Sequence, residues 1–369
     1  MATHIKWPHI DQFHNVRTRV LHNEDLKKKT VTYKAKIKLH GTNSAIQVTP
    51  STNTVIAQSR NNVLGFSNDN AGFASWVNSV RDNIIATLKY LNTTNIIIYG
   101  EWIGEGIQNG VAACKIGTKC FCIFAIEVFD KYEDLQDETL MKKRSLIVDP
   151  KSIEQIINGP NLIVSPGIPN TKVIPWFSTE DGNDYTFSVS EDDWEAKTSV
   201  LQDNLNLLNS YVEKIDKHDP WIEKEFGIVG PGEGLVFYPF VNKNGCTQTC
   251  FLYREDFSNL AFKAKGDAHK NVSKKTPASL DPEKVSSAHE YAELVCTPAR
   301  LEQGVREVCG GEILFEKKFI GPFLKWLNED LSRETRDELA VSKVEAKMAL
   351  TAAATLARNW YIKQIGAID

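Results

Sequence analysis

The stretch Lys38-Leu39-His40-Gly41-Thr42-Asn43 decides how this chain is read. It closes a run, Thr32 to Lys38, in which Lys34, Lys36 and Lys38 alternate with Ala35 and Ile37. Period-2 geometry puts the lysines on one strand face and the apolar residues on the other. The strand therefore ends at a lysine, just ahead of His-Gly. A lysine so placed is a nucleophile when neutral, but a free lysine, with a pKa of about 10.4, is almost wholly protonated at neutral pH. Lys34 and Lys36 on the same face, other lysines brought in from elsewhere, and burial would each disfavour the charged form. Gly41 would let a ligand approach the backbone closely. Taken alone, the hexapeptide suits a solvated basic edge strand closed by a turn equally well.

The surroundings are ordinary. The 369 residues are 42% hydrophobic and 24% charged, enough for about two globular domains. With a formal net charge of −4, any polyanion must be met by a local basic patch. Met1 to His14 lacks a basic region followed by an apolar run, and no later segment reaches the length of a membrane span. A soluble, unexported, cytoplasmic protein is expected. Seven cysteines, an odd number, fit reduced thiols better than a disulfide framework. Cys120-x-Cys122 and Cys246-x3-Cys250 have zinc-ligand spacing in principle, but the first pair sits in an apolar run where core packing is the simpler reading.

Taken in order, Thr32 to Lys38, Ser44 to Thr49 and Val55 to Arg60 read as strands, with Pro50-Ser51-Thr52-Asn53 as a turn. Ala71 to Leu91 carries Phe73, Val77, Val80, Ile84 and Leu88 at helical spacing. The apolar strand Ile96 to Tyr99 runs into Gly100-Glu101-Trp102 and a glycine-rich loop, Gly104 to Gln108; a carboxylate there is placed to accept a ligand hydroxyl. Phe121 to Phe129 is a further strand, with Phe124 inside it; core filling is the simplest account of that residue by itself. Asp130 to Lys224 shows no chemistry, only a helical pattern over Asp192 to Val212. Gly232-Glu233-Gly234 then leads into another strand, and Phe262-Lys263-Ala264-Lys265 puts two lysines on one strand face. With His269, Lys270, Lys274 and Lys275 they form the best candidate for phosphate contacts, although a solvated surface would carry the same charges. Beyond Lys275 the pattern turns helical: Asp281-Pro282 and Thr297-Pro298 are N-cap signals, Gly310-Gly311 is a stop, and Phe315 to Leu331 and Leu339 to Ile365 follow as helices.

The ordered set of Lys38 in KxHG, Arg60, Glu101, Phe124, Glu233 in GEG, and Lys263 with Lys265 resembles the covalent nucleotidyltransferase superfamily of ATP-dependent ligases and mRNA capping enzymes. Histidine in the third position of KxHG, followed by Gly-Thr-Asn, together with Gly100 to Gln108, is similar to the double-strand (nick-sealing) RNA ligases of phages and kinetoplastid RNA editing. That resemblance implies an α+β fold: a nucleotidyltransferase domain over residues 1–275, with ATP-grasp-like antiparallel sheets flanking a nucleotide cleft, and a small all-α domain over 276–369.

It also implies roles. Lys38 would take AMP from ATP onto its Nζ, pass it to the 5′-phosphate of an RNA strand, and leave the neighbouring 3′-hydroxyl to displace it. Lys263 and Lys265 would neutralise charge on the α-phosphate, and Glu233 would hold Mg²⁺ or Mn²⁺. Glu101 and Arg60 would bind the ribose, Phe124 would stack on adenine, and His40 and Asn43 would act near the sugar-phosphate. Relatives often carry glutamate just before the nucleophile; Ile37 stands here, so adenine selection would fall to backbone groups and Phe124. The expected partners are ATP and duplex or nicked RNA with 3′-hydroxyl and 5′-phosphate ends, bound by a monomer away from any membrane. A DNA ligase or capping enzyme would normally carry KxDG and a C-terminal β-barrel. A non-catalytic RNA-binding scaffold would have no use for a lysine facing two carboxylates.

Overall fold

The structure, a computed structural model, describes residues 4–92, 94–129, 144–159, 167–196, 198–241, 251–266, 288–335 and 346–365. The chain divides into two compact units, Met1–Gly266 and Asp267–Asp369. The expected boundary at Lys275 and the basic residues His269, Lys270, Lys274 and Lys275 lie outside the described residues, as do Cys246, Cys250 and Asp281.

The strands of the first unit are β1 (Asp11–Gln12), β2 (Val31–Lys38), β3 (Thr42–Thr49), β4 (Thr54–Ser59), β5 (Asn95–Ile103), β6 (Cys120–Phe129), β7 (Ser145–Ile147), β8 (Thr171–Val173), β9 (Thr186–Val189), β10 (Gly234–Val241), β11 (Phe251–Tyr253) and β12 (Phe262–Lys265). They form two sheets, ordered β1-β12-β10-β2-β9 and β11-β7-β6-β5-β3-β4, with β8 added alongside β6. Pairing is antiparallel except for β1 with β12 and β8 with β6.

Strand alternation decides which core each residue joins. Tyr33, Ala35 and Ile37 of β2, with Leu235 and Phe237 of β10, pack with Leu208, Val212 and Ile215 of the helix Ser199–Lys217. The opposite face of β10, Val236, Tyr238 and Phe240, packs between the sheets against Ile97 and Tyr99 of β5 and Ala125 of β6. The far side of the second sheet, with Ile46, Ile96 and Ile98, is covered by Phe73–Ser79, Arg81–Leu88 and Pro150–Asn158. β10 is buried on both faces, which explains why its sequence is almost unbroken apolar.

The lysine face of β2 therefore looks into the space between the sheets, which is not the solvated edge strand that the hexapeptide alone would equally suit. Lys36 is 1% exposed and donates from Nζ to the carbonyl of Phe124 on β6 at 3.0 Å. Its ammonium lies 4.9 Å from the Trp176 ring centroid and 5.5 Å from that of Tyr238.

Three helical readings also change in detail. Ala71 to Leu91 is Phe73–Ser79 and Arg81–Leu88, parted at Val80 (φ −104°, ψ 11°), followed by a 3₁₀ turn. The helix expected from Asp192 begins as Glu191–Ala196 and restarts at Ser199, where the Thr198 hydroxyl caps the Leu201 N–H. Phe315 precedes its helix, which runs Ile320–Glu334 after a 3₁₀ turn at Lys317–Phe319.

The second unit consists of helices Ala288–Val295, Pro298–Val308, Ile320–Glu334 and Ala346–Ile365 among the described residues. Tyr291, Val295, Leu301, Val305, Phe323, Leu327, Leu331, Ala349, Ala353 and Tyr361 form its core. Inside it, Arg300 pairs with Asp330 at 3.0 Å. No helix of the described residues is long and apolar enough to cross a membrane.

Candidate active site

Lys38 is the last residue of β2 and pairs in register with Gly234, the first of β10; Gly234 faces Lys265 on its other side. Glu233 thus enters between two lysines. Lys38 Nζ donates to Glu233 Oε2 at 2.7 Å, Lys265 Nζ lies 3.0 Å from Oε1, and His40 Nδ1 lies 3.5 Å from Oε2. Glu233 is 2% exposed, whereas the Lys38 side chain is 23% exposed, so the carboxylate forms the floor and the lysine reaches outward. Burial pushes the Glu233 carboxyl up, but Lys38, Lys265 and His40 outweigh it and hold it well below the usual carboxylate range. Gly234 (φ +145°) makes this crossing possible: a Cβ there would stand 2.0 Å from the Ala264 carbonyl. Lys263 sits on the same face as Lys265, opposite Val236, one step further from Glu233.

Glu101 projects from β5, opposite Asn43 of β3. Its Oε1 accepts the Gly41 N–H at 3.0 Å, and Gln108 donates to the Gly41 carbonyl at 3.0 Å. Gly41 is therefore clamped through both polar groups of its backbone. A Cβ on it would lie 2.4 Å from the Trp102 carbonyl and 2.7 Å from Ile103. Burial pushes the Glu101 carboxyl up to about 7; Lys38 and Arg60 draw it down and Glu233 repels it upward. Arg60 follows directly after β4 and does not close it, and its Nη2 donates to His9 Nδ1 at 3.1 Å.

Phe124 owes its place to a register shift. Tyr99 pairs with Ala125 and Gly100 with Ile123, so Phe124 is the extra residue of a β-bulge in β6. The bulge presents its carbonyl to Lys36 and lets its ring meet Trp7 edge-on, with centroids 5.0 Å apart. Gly100 accommodates the same irregularity: a Cβ would meet the Phe121 ring at 2.5 Å.

The structure thus gathers Lys38, His40 and Lys265 around Glu233, with Glu101, Asn43 and Arg60 beside them and Phe124 on the neighbouring strand. Sequence reading missed Gln108 as a clamp and the N-terminal residues Trp7 and His9. Gln108 stood within the recognised Gly104–Gln108 loop, but the N-terminal pair carried no local signal. Among the described residues, no group of three or more His, Cys, Asp or Glu side chains converges as a metal centre. One deep carboxylate with a second close enough to feel its charge matches the demand of Mg²⁺, which takes few protein oxygens and fills its shell with water and phosphate.

Similar solved structures include a Naegleria gruberi RNA ligase with PPi (18% identity, TM-score 0.41), and mutants of that ligase with ATP and Mn (17%, 0.42) and with AMP and Mn (18%, 0.40). Each alignment covers 73% of this chain but only 58% of the other, so the chain spans less than two thirds of their length. No curated protein matches. A sequence model of the RNA ligase family matches residues 32–265, well over half of the chain, and the chain belongs to that family.

Proposed function

We propose that the protein is an ATP-dependent RNA ligase that works through a lysyl-AMP intermediate on Lys38 and seals nicks in duplex RNA. The observation that carries this reading is the Lys38–Glu233–Lys265 cluster, in which a half-buried lysine and a second lysine are both held against one buried carboxylate. In the first step the deprotonated Lys38 nitrogen attacks the α-phosphorus of ATP. The bond to the β-phosphate oxygen breaks, pyrophosphate leaves, and a P–N bond holds AMP on the lysine. Lys265, and Lys263 one step away, offset the charge that grows on the phosphate oxygens.

An oxygen of the RNA 5′-phosphate then attacks the same phosphorus. The Lys38 amine departs and takes up a proton. Finally the 3′-hydroxyl of the adjoining strand attacks the activated 5′-phosphorus, its proton is lost, and AMP leaves. Glu101, Arg60 and Phe124 surround the position for the nucleoside, and His40 and Asn43 stand where the sugar-phosphate would pass. A bound Mg²⁺ or Mn²⁺, for which Glu233 would supply the protein carboxylate, neutralises phosphate charge. Loss of the Lys38 proton ends its ion pair with Glu233, which would leave Oε2 open to such an ion.

Preference for nicked duplex RNA rests on the spelling Lys38-Leu39-His40-Gly41-Thr42-Asn43 and on a helical second unit in place of a β-barrel. The test is incubation with Mg²⁺ and α-labelled ATP, followed by denaturation. We expect acid-stable label on the parent chain and none on Lys38→Ala, with the labelled chain sealing nicked duplex RNA at least tenfold faster than it joins single strands. An unlabelled parent chain, purified free of bound AMP, would sink the mechanism.

A further inference from the structure

The family match begins at residue 32, yet residues 4–12 reach the nucleoside end of the proposed site. They form a strap anchored by the chain itself. The His4 ring lies 3.0 Å from the Ser59 carbonyl, Gln58 donates to the Ile5 carbonyl at 2.7 Å, and Arg254 donates to the carbonyl of Lys6. Trp7 is buried, with ring centroids 4.8 Å from Tyr99, 5.0 Å from Phe124 and 4.8 Å from Phe257. Two residues on, His9 meets Arg60.

That last contact fixes the histidine's chemistry. A guanidinium has only donors, so Nδ1, 3.1 Å from Arg60 Nη2, must be the unprotonated nitrogen. The other nitrogen, Nε2, lies 3.3 Å from Asp11 Oδ1, and Asp11 is itself paired with Arg19. The row Arg19–Asp11–His9–Arg60 runs from helix Phe13–Leu21 to the end of β4, and its last member draws down the charge equilibrium of Glu101. An arginine side chain on a strand end has many rotamers; an acceptor on a pinned strap selects one.

We propose that His9 is a positioning residue for Arg60, so that the N-terminal strap completes the nucleoside site of the ligase. The idea rests on the ligase reading above. His9 acts by holding Arg60 towards the ribose, with Trp7 supporting Phe124 beside it.

The test compares three variants in the full chain, read as the rate of lysyl-AMP formation against ATP concentration. His9→Phe keeps a ring but no acceptor. Losing a hydrogen bond to a charged group predicts a KM for ATP raised about 10- to 50-fold, with the rate at saturation within about threefold of the parent. His9→Asn places a carboxamide oxygen near the Nδ1 position and should recover KM to within about threefold. In the double variant His9→Phe with Arg60→Ala, the His9 change should add nothing to the loss caused by Arg60→Ala alone. If His9→Phe melts early, His9→Gln, whose carboxamide lies at the Nε2 end, carries the comparison.

An unchanged KM in His9→Phe, a saturating rate that falls while KM stays fixed, or additive losses in the double variant would overturn the proposal. Absence of label on the parent chain would be a failure of the ligase reading instead. His9 would then be judged by AMP affinity in calorimetry, where at least tenfold weaker binding by His9→Phe supports the proposal and equal binding by variant and parent refutes it. No AMP binding by the parent overturns both.

Discussion

Glu101 and Glu233 are two carboxylates in one site whose surroundings push them apart. Glu233, although buried, is held down by Lys38, Lys265 and its contact with His40 and stays ionised across the physiological range; Glu101 is pushed up to about 7, chiefly by burial and further by the charge of Glu233. Such a split lets one group hold cations while the other meets hydroxyls and backbone. It also has a consequence for stability. A carboxyl raised from 4.5 to about 7 on folding makes its full contribution below pH 4.5 and loses it as pH rises through 7, because the folded chain then carries a charge that the site disfavours. Glu101→Gln removes the charge and keeps the shape. We expect it to stabilise the protein at pH 8 by about 1–2 kcal/mol relative to the parent, after allowance for partial exposure, and to leave stability near pH 4.5 unchanged. Calorimetric melting at the two pH values measures this, and an equal fall at both would contradict it. If Glu101 accepts the ribose hydroxyls as proposed, the same variant should lower lysyl-AMP formation at least tenfold at limiting ATP, since an amide is a weaker acceptor than a carboxylate. Stability and activity would then move in opposite directions, the mark of a residue kept for chemistry.

At the scale of the element, β2 does two jobs with one alternation. Tyr33, Ala35 and Ile37 enter a core, and Lys34, Lys36 and Lys38 line the space between the sheets. Burial pushes Lys36 down to about 7, with Asp149 pulling it up and Lys34 pushing it further down. Between about pH 7 and 10.4 the unfolded chain then holds a proton that the folded chain lacks, so this lysine makes stability rise with pH over that window. Lys36→Met should flatten the rise. At pH 7 we expect it to gain about 1–3 kcal/mol, the relief of a buried charge less the lost hydrogen bond to Phe124; near pH 10 the gain should vanish or reverse. Urea midpoints at pH 7 and 9.5 decide the matter: a difference independent of pH would show that Lys36 is not buried as a titrating group.

The same strand shows what was legible in the sequence. Its period-2 pattern, the end at Lys38 and the pairing of Glu233 with flanking glycines are local features, and local features carry a readable spacing. The depth of Lys36, the bulge at Phe124 and the contact of His9 with Arg60 depend on which distant strand lies opposite. Lys36 and Phe124 are 88 residues apart, and His9 and Arg60 are 51 apart. The need for glycine at position 41 has the same non-local origin, since the atoms that forbid a side chain there belong to β5.

At the scale of the whole molecule, the division of labour follows the division of the chain. Every residue assigned to the nucleotide, from His9 to Lys265, lies in Met1–Gly266. The second unit supplies its own core from Tyr291 to Ile365, closed by the Arg300–Asp330 pair and by the Tyr291–Thr335 hydroxyl contact at 2.7 Å. On the proposed mechanism, lysyl-AMP formation would need only ATP, metal and the first unit. Sealing would need in addition a grip on two strand ends, which with a net charge of −4 would have to come from local basic surfaces. Removal of residues 276–369 is therefore expected to leave labelling of Lys38 within about threefold of the full chain and to slow sealing of nicked duplex RNA at least tenfold at low salt, with the loss shrinking as salt is raised and the phosphate contacts of the full chain weaken. Sealing of pre-adenylylated strands isolates the later step and should show the same deficit. Equal loss of labelling and sealing, in a truncated chain that still melts cooperatively, would mean that the helical unit serves the nucleotide site and not the RNA.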